Sequence, residues 1–275
     1  MQRCNAFRRL SWVGSLLAFT VVNSADPASA QIGVTSVEPA VATLAQDIAV
    51  ANRILADQQV LDAYGHVSAR HPAIPGRFLM GRNLAPALVT AADIVEYDLD
   101  GNPIAAPANV THFLERFIHA EIYRARDDVK AVVHTHSPAV IPFGVTKAPL
   151  KPMYHMSAFL APGVPVFEIR EAAGGMTNML VGNSKLGKAL AEALGDKNVV
   201  LMRGHGNVIV ATSLPMAVFR AVYTETNARL QMQAIGIGGP INFLENEEGE
   251  KAMQVLDQIH TRAWDLWKRK VTQTE

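Results

Sequence analysis

An apolar run, Ala131-Val132-Val133, ends in two histidines one residue apart, His134-Thr135-His136. The run predicts a buried central strand over Val129–His136. Residues i and i+2 of a strand face the same way. Both imidazoles therefore stand side by side at the strand's end, which is half of a site for a divalent ion. By spacing alone the pair is equally two histidines without a metal. Other parts of the chain decide between the readings.

The flanking sequence alternates helix and strand signals. Leu44, Ile48, Ala51 and Leu55 recur at helical spacing and predict a helix over Ala42–Val60. Strands are expected at Gly65–Arg70, Phe78–Met80 and Ile94–Asp98, the last entering a hairpin at Asp100-Gly101. Phe113, Leu114, Phe117, Ile118 and Ile122 predict a helix from Thr111 to Arg126, capped by Asn109 or Thr111. Further strands are expected at Val164–Ile169, Asn198–Met202 and Asn207–Ala211. Asn183–Leu194 reads as a helix stopped by Gly195, and two long helices, Leu214–Ile235 and Glu247–Lys270, close the chain. Hairpins and crossovers together predict one α/β domain over residues 42–275, with a mixed sheet covered by helices. Phe219, Val222, Leu230, Trp264 and Trp267 form apolar faces on the last helices, fit to pack on the sheet or on another subunit.

The N-terminus reads differently. Arg3, Arg8 and Arg9 precede an apolar stretch from Leu10 to Val22, and Ala28-Ser29-Ala30 follows. This is the pattern of a signal peptide over residues 1–30, with a leader at 31–41; an uncleaved anchor is the alternative. The expectation is an exported, periplasmic protein that keeps no membrane span after cleavage. Arg8-Arg9 leaves the twin-arginine and general secretory routes both open. The lone cysteine, Cys4, lies in the signal. The mature chain then has neither disulfides nor cysteine ligands, and any metal is held by histidine and carboxylate. Lys+Arg and Asp+Glu balance at 25 each, with no basic stripe to suggest nucleic acid. The expected partner is a small molecule.

His205 lies between Gly204 and Gly206 and between two apolar strands. As a third imidazole it completes the three-ligand pattern of catalytic zinc sites, which keep a position open. Glu115 and His119 are four apart on the helix before the central strand and are expected to share a face. From there Glu115 can reach the metal or a substrate proton; by spacing alone, the two are an ordinary helix-surface pair. His66, His155 and Tyr223 are weaker candidates, each as easily a hydrogen-bonded structural residue. No Walker, Rossmann or G-x-S-x-G pattern is present.

The ordered set Glu115-x-x-x-His119, Ala131-Val132-Val133-His134-Thr135-His136 and Gly204-His205-Gly206 resembles the class II aldolase/adducin family over about residues 42–236. The resemblance implies an α/β/α three-layer sandwich with a mixed, largely antiparallel central sheet, usually in a homotetramer with active sites between subunits. It implies metal ligation by His134, His136 and His205, with zinc first and manganese, iron or cobalt as alternatives. It makes Glu115 the acid/base, with His119 and Tyr223 as further catalytic candidates and His66, Ser68 and His155 as substrate contacts.

The departures narrow the substrate. Sugar-phosphate aldolases of the family have Gly-Asn where this chain has Gly65-His66, and small hydroxyl residues where it has Phe113-Leu114. Phe and Leu donate no hydrogen bond to a phosphate. Gly65-His66-Val67-Ser68, Ile141–Gly144 and Tyr154-His155-Met156 resemble instead the family's hydroxy-aromatic acid decarboxylases. The expected function is a divalent-metal-dependent lyase that cleaves a C–C bond, by retro-aldol reaction or decarboxylation, in a small unphosphorylated substrate. The alternatives are an inactive adducin-like protein and a periplasmic metal-binding protein.

Overall fold

Strict alternation of buried side chains builds the centre of this molecule. The computed structural model describes residues 34–104, 106 and 109–273. The expected signal peptide, Cys4 and residues 31–33 of the leader lie outside the described residues. In chain order the elements are α1 (Val34–Asp57), β1 (His66–Arg70), β2 (Arg77–Gly81), β3 (Ile94–Asp98), β4 (Pro103–Ile104), α2 (Arg116–Ala125) and β5 (Ala131–Thr135). There follow α3 (Ile141–Val145), β6 (Val166–Phe167), α4 (Ile169–Ala173), α5 (Ser184–Leu194), β7 (Val199–Met202) and β8 (Gly206–Ala211). The chain continues through α6 (Leu214–Ile237), α7 (Asn246–Ile259) and α8 (Thr261–Thr272).

The strands form one eight-stranded sheet in the order β4-β3-β2-β1-β5-β8-β7-β6. Only β6–β7 is parallel; all other neighbours are antiparallel. β5 lies inside the sheet and is buried along its whole length. Its odd-numbered Ala131 and Val133 join Val67, Ala69, Ile209 and Ala211 in one core with α1, α6 and α8. Its even-numbered Val132 joins Met80, Val200, Val208 and Val210 in a second core with α2 and α5. A sheet with a hydrophobic core on each face is the three-layer α/β/α sandwich.

Register places the chemistry. His66 stands opposite His134, and Ser68 opposite Val132. By period two, His66, Ser68, Val132 and His134 share the α2 face.

Several boundaries differ from the periodic reading. α1 begins at Val34, so its first turns use residues expected in the leader. α2 begins at Arg116, not Thr111. The segment before it is held to the chain just after β2, where the Thr111 carbonyl accepts from Asn83 N–H. Neither Asn109 nor Thr111 is its cap; Glu115 occupies that position and spends its carboxylate elsewhere. Glu115 and His119 nonetheless both point to the sheet, toward His134 and Ser68 respectively. β6 is only Val166–Phe167, because Ile169 already opens α4. The last expected helix is two. His260 Nδ1–H donates to the Asp257 carbonyl at 3.1 Å, and α7 ends where this side chain enters the helical ladder. Phe219, Val222, Trp264 and Trp267 are buried in the α1/α6/α8 core, whereas Leu230 is exposed. Among the described residues no helix is long and apolar enough to cross a membrane.

Candidate metal centre and active site

β5 delivers His134 from its last turn of pleat, with 1% of its surface exposed, and His136 follows just beyond the strand. The β7–β8 hairpin supplies His205. Its turn is closed by His205 N–H to the Met202 carbonyl at 3.1 Å, with Gly204 at φ +63°. A Cβ on Gly206 would overlap the Thr135 carbonyl oxygen, so the hairpin can lie against the end of β5 only with glycine there. Sequence reasoning expected these three imidazoles together, and the fold brings them together.

His136 Nε2 lies 3.2 Å from His134 Nε2 and 2.9 Å from His205 Nε2. Glu115 Oε2 lies 3.5 Å from His134 Nε2 and 3.6 Å from His205 Nε2. One ligand atom from each of the four groups falls within 4.8 Å of every other. Burial, with His205 and His136 adding, holds the His134 imidazole well below its usual pKa. Burial also lowers His136, with His205 adding and Asp62 opposing. These imidazoles are therefore neutral Lewis bases. Nitrogen and carboxylate lone pairs that converge at such distances repel unless a cation lies among them. The donor set, three imidazoles and one carboxylate, fits a divalent ion of the zinc type.

Neighbouring groups aim the ligands. His134 Nδ1–H donates to the Asn207 carbonyl at 3.2 Å, which leaves its Nε2 lone pair facing the cluster. Thr135 Oγ1 donates to Asn207 Oδ1 at 2.5 Å and accepts from Ser137 N–H at 3.1 Å. Beyond His136, Ser137 Oγ donates to Glu225 of α6, and Ala139 N–H donates to the same carboxylate at 3.2 Å. Arg229 closes the group, its Nε donating to Glu225 Oε1 at 2.6 Å. Asn207 and Glu225 were not visible as site residues in the sequence. One acts through a main-chain carbonyl, and the other arrives from a helix far along the chain.

Glu115 is 8% exposed and accepts from Val181 N–H through Oε1 at 2.9 Å. Its Oε2 is thereby left toward the imidazoles. Burial raises its pKa; the facing His205 and the Val181 N–H oppose the rise.

His66 sits beside the cluster, its ring 5.0 Å from that of His134 and 4.6 Å from that of Phe113. Ser68 is fully buried, and both partners of its hydroxyl are protein groups, His119 and Tyr123. It is thus corrected from a substrate contact to a residue that positions others. His119, also fully buried, bonds His66 and Ser68 and reaches none of the four ligand atoms. Its expected catalytic role becomes a positioning one. The fold does not bring the remaining two to the cluster. Tyr223 packs on Phe219, Tyr154 and Trp267, and His155 is exposed at the start of a short 3-10 turn, against Tyr154.

Gly65 sets this arrangement from below. It has φ +90°, and a Cβ there would lie 2.8 Å from the His134 carbonyl oxygen and 2.5 Å from Leu61 Cδ2. Gly65→Ala is expected to cost about 2–4 kcal/mol, from left-handed backbone plus overlap. Gly76 has a similar φ, +80°, with open space around it. Gly76→Ala is expected to cost only the backbone part, about 1–2 kcal/mol. Urea unfolding of both variants checks the difference; equal losses would contradict the close approach at Gly65.

The sequence profile of the Class II Aldolase and Adducin N-terminal domain matches residues 46–232. The chain belongs to the class II aldolase/adducin family. Among its relatives is decarboxylase tropJ of Talaromyces stipitatus, 38% identical over 240 residues, covering 79% of this chain and 90% of that protein. The 3,4-dihydroxyphthalate decarboxylase of Arthrobacter keyseri is 35% identical over 231 residues, covering 79% and 89%. Among solved structures, the L-fuculose 1-phosphate aldolase of Glaciozyma antarctica shares the family fold at TM-score 0.72 and 22% identity, over 86% of this chain and 92% of that one. An aldolase II superfamily protein of Pseudomonas syringae matches at TM-score 0.72 and 25% identity, over 88% and 97%. Like these family members the chain is a lyase, of the decarboxylase or aldolase kind, and it carries four groups able to hold a metal.

Proposed function

We propose that this lyase is a divalent-metal-dependent decarboxylase of hydroxy-aromatic carboxylic acids. The observation that carries the reading is the wall beside the ligand cluster. Phe113 packs its ring on His66 at 4.6 Å, and Leu114 is 48% exposed next to Glu115. An aromatic ring is at home against such a wall, whereas a phosphate needs hydrogen-bond donors there. The two decarboxylase relatives, matched over nine-tenths of their length, support the same reading.

His134, His136 and His205 are the groups to hold the ion, zinc by preference, with Glu115 beside it. When bound, a divalent ion supplies Lewis-acid stabilisation of the negative charge that builds on substrate oxygens as the C–C bond breaks. The protein's own contribution is proton control. Glu115 Oε1 is anchored by Val181, so Oε2 is the oxygen free to take a substrate hydroxyl proton and return it to the carbon that loses carbon dioxide. Burial, by raising the pKa of Glu115, favours a carboxyl that can hold that proton between the two transfers. Phe113, Leu114 and the nearby Tyr64 ring, 6.2 Å from that of His136, give the substrate an apolar seat.

The deciding experiment incubates the zinc-loaded chain with dihydroxybenzoic and dihydroxyphthalic acids and, separately, with unphosphorylated and phosphorylated ketoses. Carbon dioxide and a phenol from the first group are expected. Aldehyde release from a ketose, with no carbon dioxide from any acid, would replace the reading with an aldolase.

Two further assignments belong to this proposal. The protein works in the periplasm after loss of residues 1–30; whole-cell fractionation finding the full-length chain only in the cytosol would contradict it. It works as a homotetramer, which suits the exposed Tyr64, Leu114 and Met176; light scattering reads the mass.

A further inference from the structure

Four buried polar side chains beside the cluster form a single line of hydrogen bonds. Tyr123 Oη and Ser68 Oγ are 2.8 Å apart, Ser68 Oγ and His119 Nδ1 2.6 Å, and His119 Nε2 and His66 Nδ1 2.6 Å. Tyr123, Ser68 and His119 are fully buried, and His66 is 3% exposed. The line starts in the core and ends at the wall of the site, where the His66 ring meets those of His134 and Phe113.

The inner end sets its direction. Ser68 Oγ is the hydrogen-bond partner of the fully buried Tyr123 hydroxyl. The phenolic proton then has Ser68 Oγ as its acceptor. Ser68 in turn gives its proton to His119 Nδ1. His119 is a neutral imidazole, its pKa pushed down to about 3 by burial, so its single proton sits on Nε2 and is donated to His66 Nδ1. His66 Nδ1 is thereby the acceptor of that bond. Its one proton is left on Nε2. In the reverse sense the Tyr123 proton would lack an acceptor in the core, which buried hydroxyls rarely tolerate. Because the line dead-ends at Tyr123, it cannot pass protons to solvent. What it can do is fix orientation and tautomer.

We propose that Tyr123, Ser68 and His119 are positioning residues that lock His66 as a one-way hydrogen-bond donor, presenting Nε2–H to an anionic substrate oxygen and keeping this fourth histidine out of the metal's ligand set. The four groups whose ligand atoms converge do not include His66, although its ring touches that of His134. A donor fixed in advance suits a carboxylate or phenolate oxygen and needs no reorganisation when substrate binds. The identity of that oxygen rests on the decarboxylase reading; the tautomer does not.

The test uses the full, zinc-loaded chain with ¹⁵N-labelled histidine, with His66 assigned through His66→Gln. Long-range ¹⁵N–¹H spectra at neutral pH are expected to show His66 protonated at Nε2 and bare at Nδ1. Ser68→Ala removes the partner that holds His119, and the two His66 nitrogen shifts are expected to converge as the tautomers mix. A proton on His66 Nδ1 in the wild type, or His66 shifts unmoved by Ser68→Ala, would overturn the lock. Binding of 2-hydroxybenzoate supplies a second readout. His66→Phe is expected to weaken it about tenfold, the loss of one hydrogen bond to a charged oxygen, and His66→Gln, which keeps an N–H, by less than about threefold. Metal content is expected to stay unchanged in both variants. Loss of zinc from His66→Phe, or unchanged binding of the probe, would overturn the donor role. An Nε2–H signature in a chain that decarboxylates none of the acids would support the lock and sink the decarboxylase reading. An Nδ1–H signature in an active decarboxylase would do the opposite.

Discussion

Replacing His205 by alanine is expected to reduce bound metal from about one ion per chain to trace amounts, and turnover by more than ~100-fold, the upper end of what removing even an outer partner of a ligand costs. His205 stands on a hairpin turn and not in either core, so the variant should fold. Removing it takes one of the three converging Nε2 atoms from the set, the one 2.9 Å from His136 Nε2. Three protein ligands with an open position define a catalytic site of this type, and two imidazoles with one buried carboxylate hold a divalent ion less tightly. Elemental analysis of wild type and variant, with thermal unfolding as the check on folding, reads the effect. A variant that keeps a full equivalent of metal would remove His205 from the ligand set.

Glu115→Gln separates proton transfer from binding. The amide has nearly the shape of the carboxylate, and its oxygen can still accept from Val181 N–H at the position of Oε1. What is lost is an oxygen able to take and return a proton, so turnover is expected to fall by ~10²–10⁴-fold. Binding of 2-hydroxybenzoate and bound metal are expected to change far less. Steady-state rates of carbon dioxide release, set beside metal content, check this. Turnover within about threefold of wild type would take the acid/base role away from Glu115.

Much of this site can be read in the sequence because its parts sit on regular elements. His134 and His136 obey the period of a strand, and His205 is framed by glycines that a close hairpin needs; each carries its geometry in its neighbours. Periodicity puts Glu115 on a helix face, whereas it stands at the cap position, where a bond to Val181 turns it toward the imidazoles. Helical periodicity cannot show that, because the pattern runs on through residues 111–115, which lie before the first turn of α2. Ser68 and His119 point to the same limit. Their pairing depends on β1 lying beside β5 beneath α2, a tertiary fact that neither local sequence contains. Asn207 contributes its main chain and Glu225 comes from α6, so neither leaves a local signature at the histidines. Tyr223 and His155 lacked any spacing argument, and in the fold they pack away from the cluster.

The whole account turns on whether the three imidazoles, with Glu115 beside them, hold a working metal. The most direct measurement strips the purified chain with a chelator, removes the chelator, and follows carbon dioxide release from a dihydroxy-aromatic acid before and after one equivalent of zinc is returned. The account predicts turnover that vanishes with the metal and recovers with it, in proportion to the equivalents added. Full turnover by the metal-free chain would contradict it.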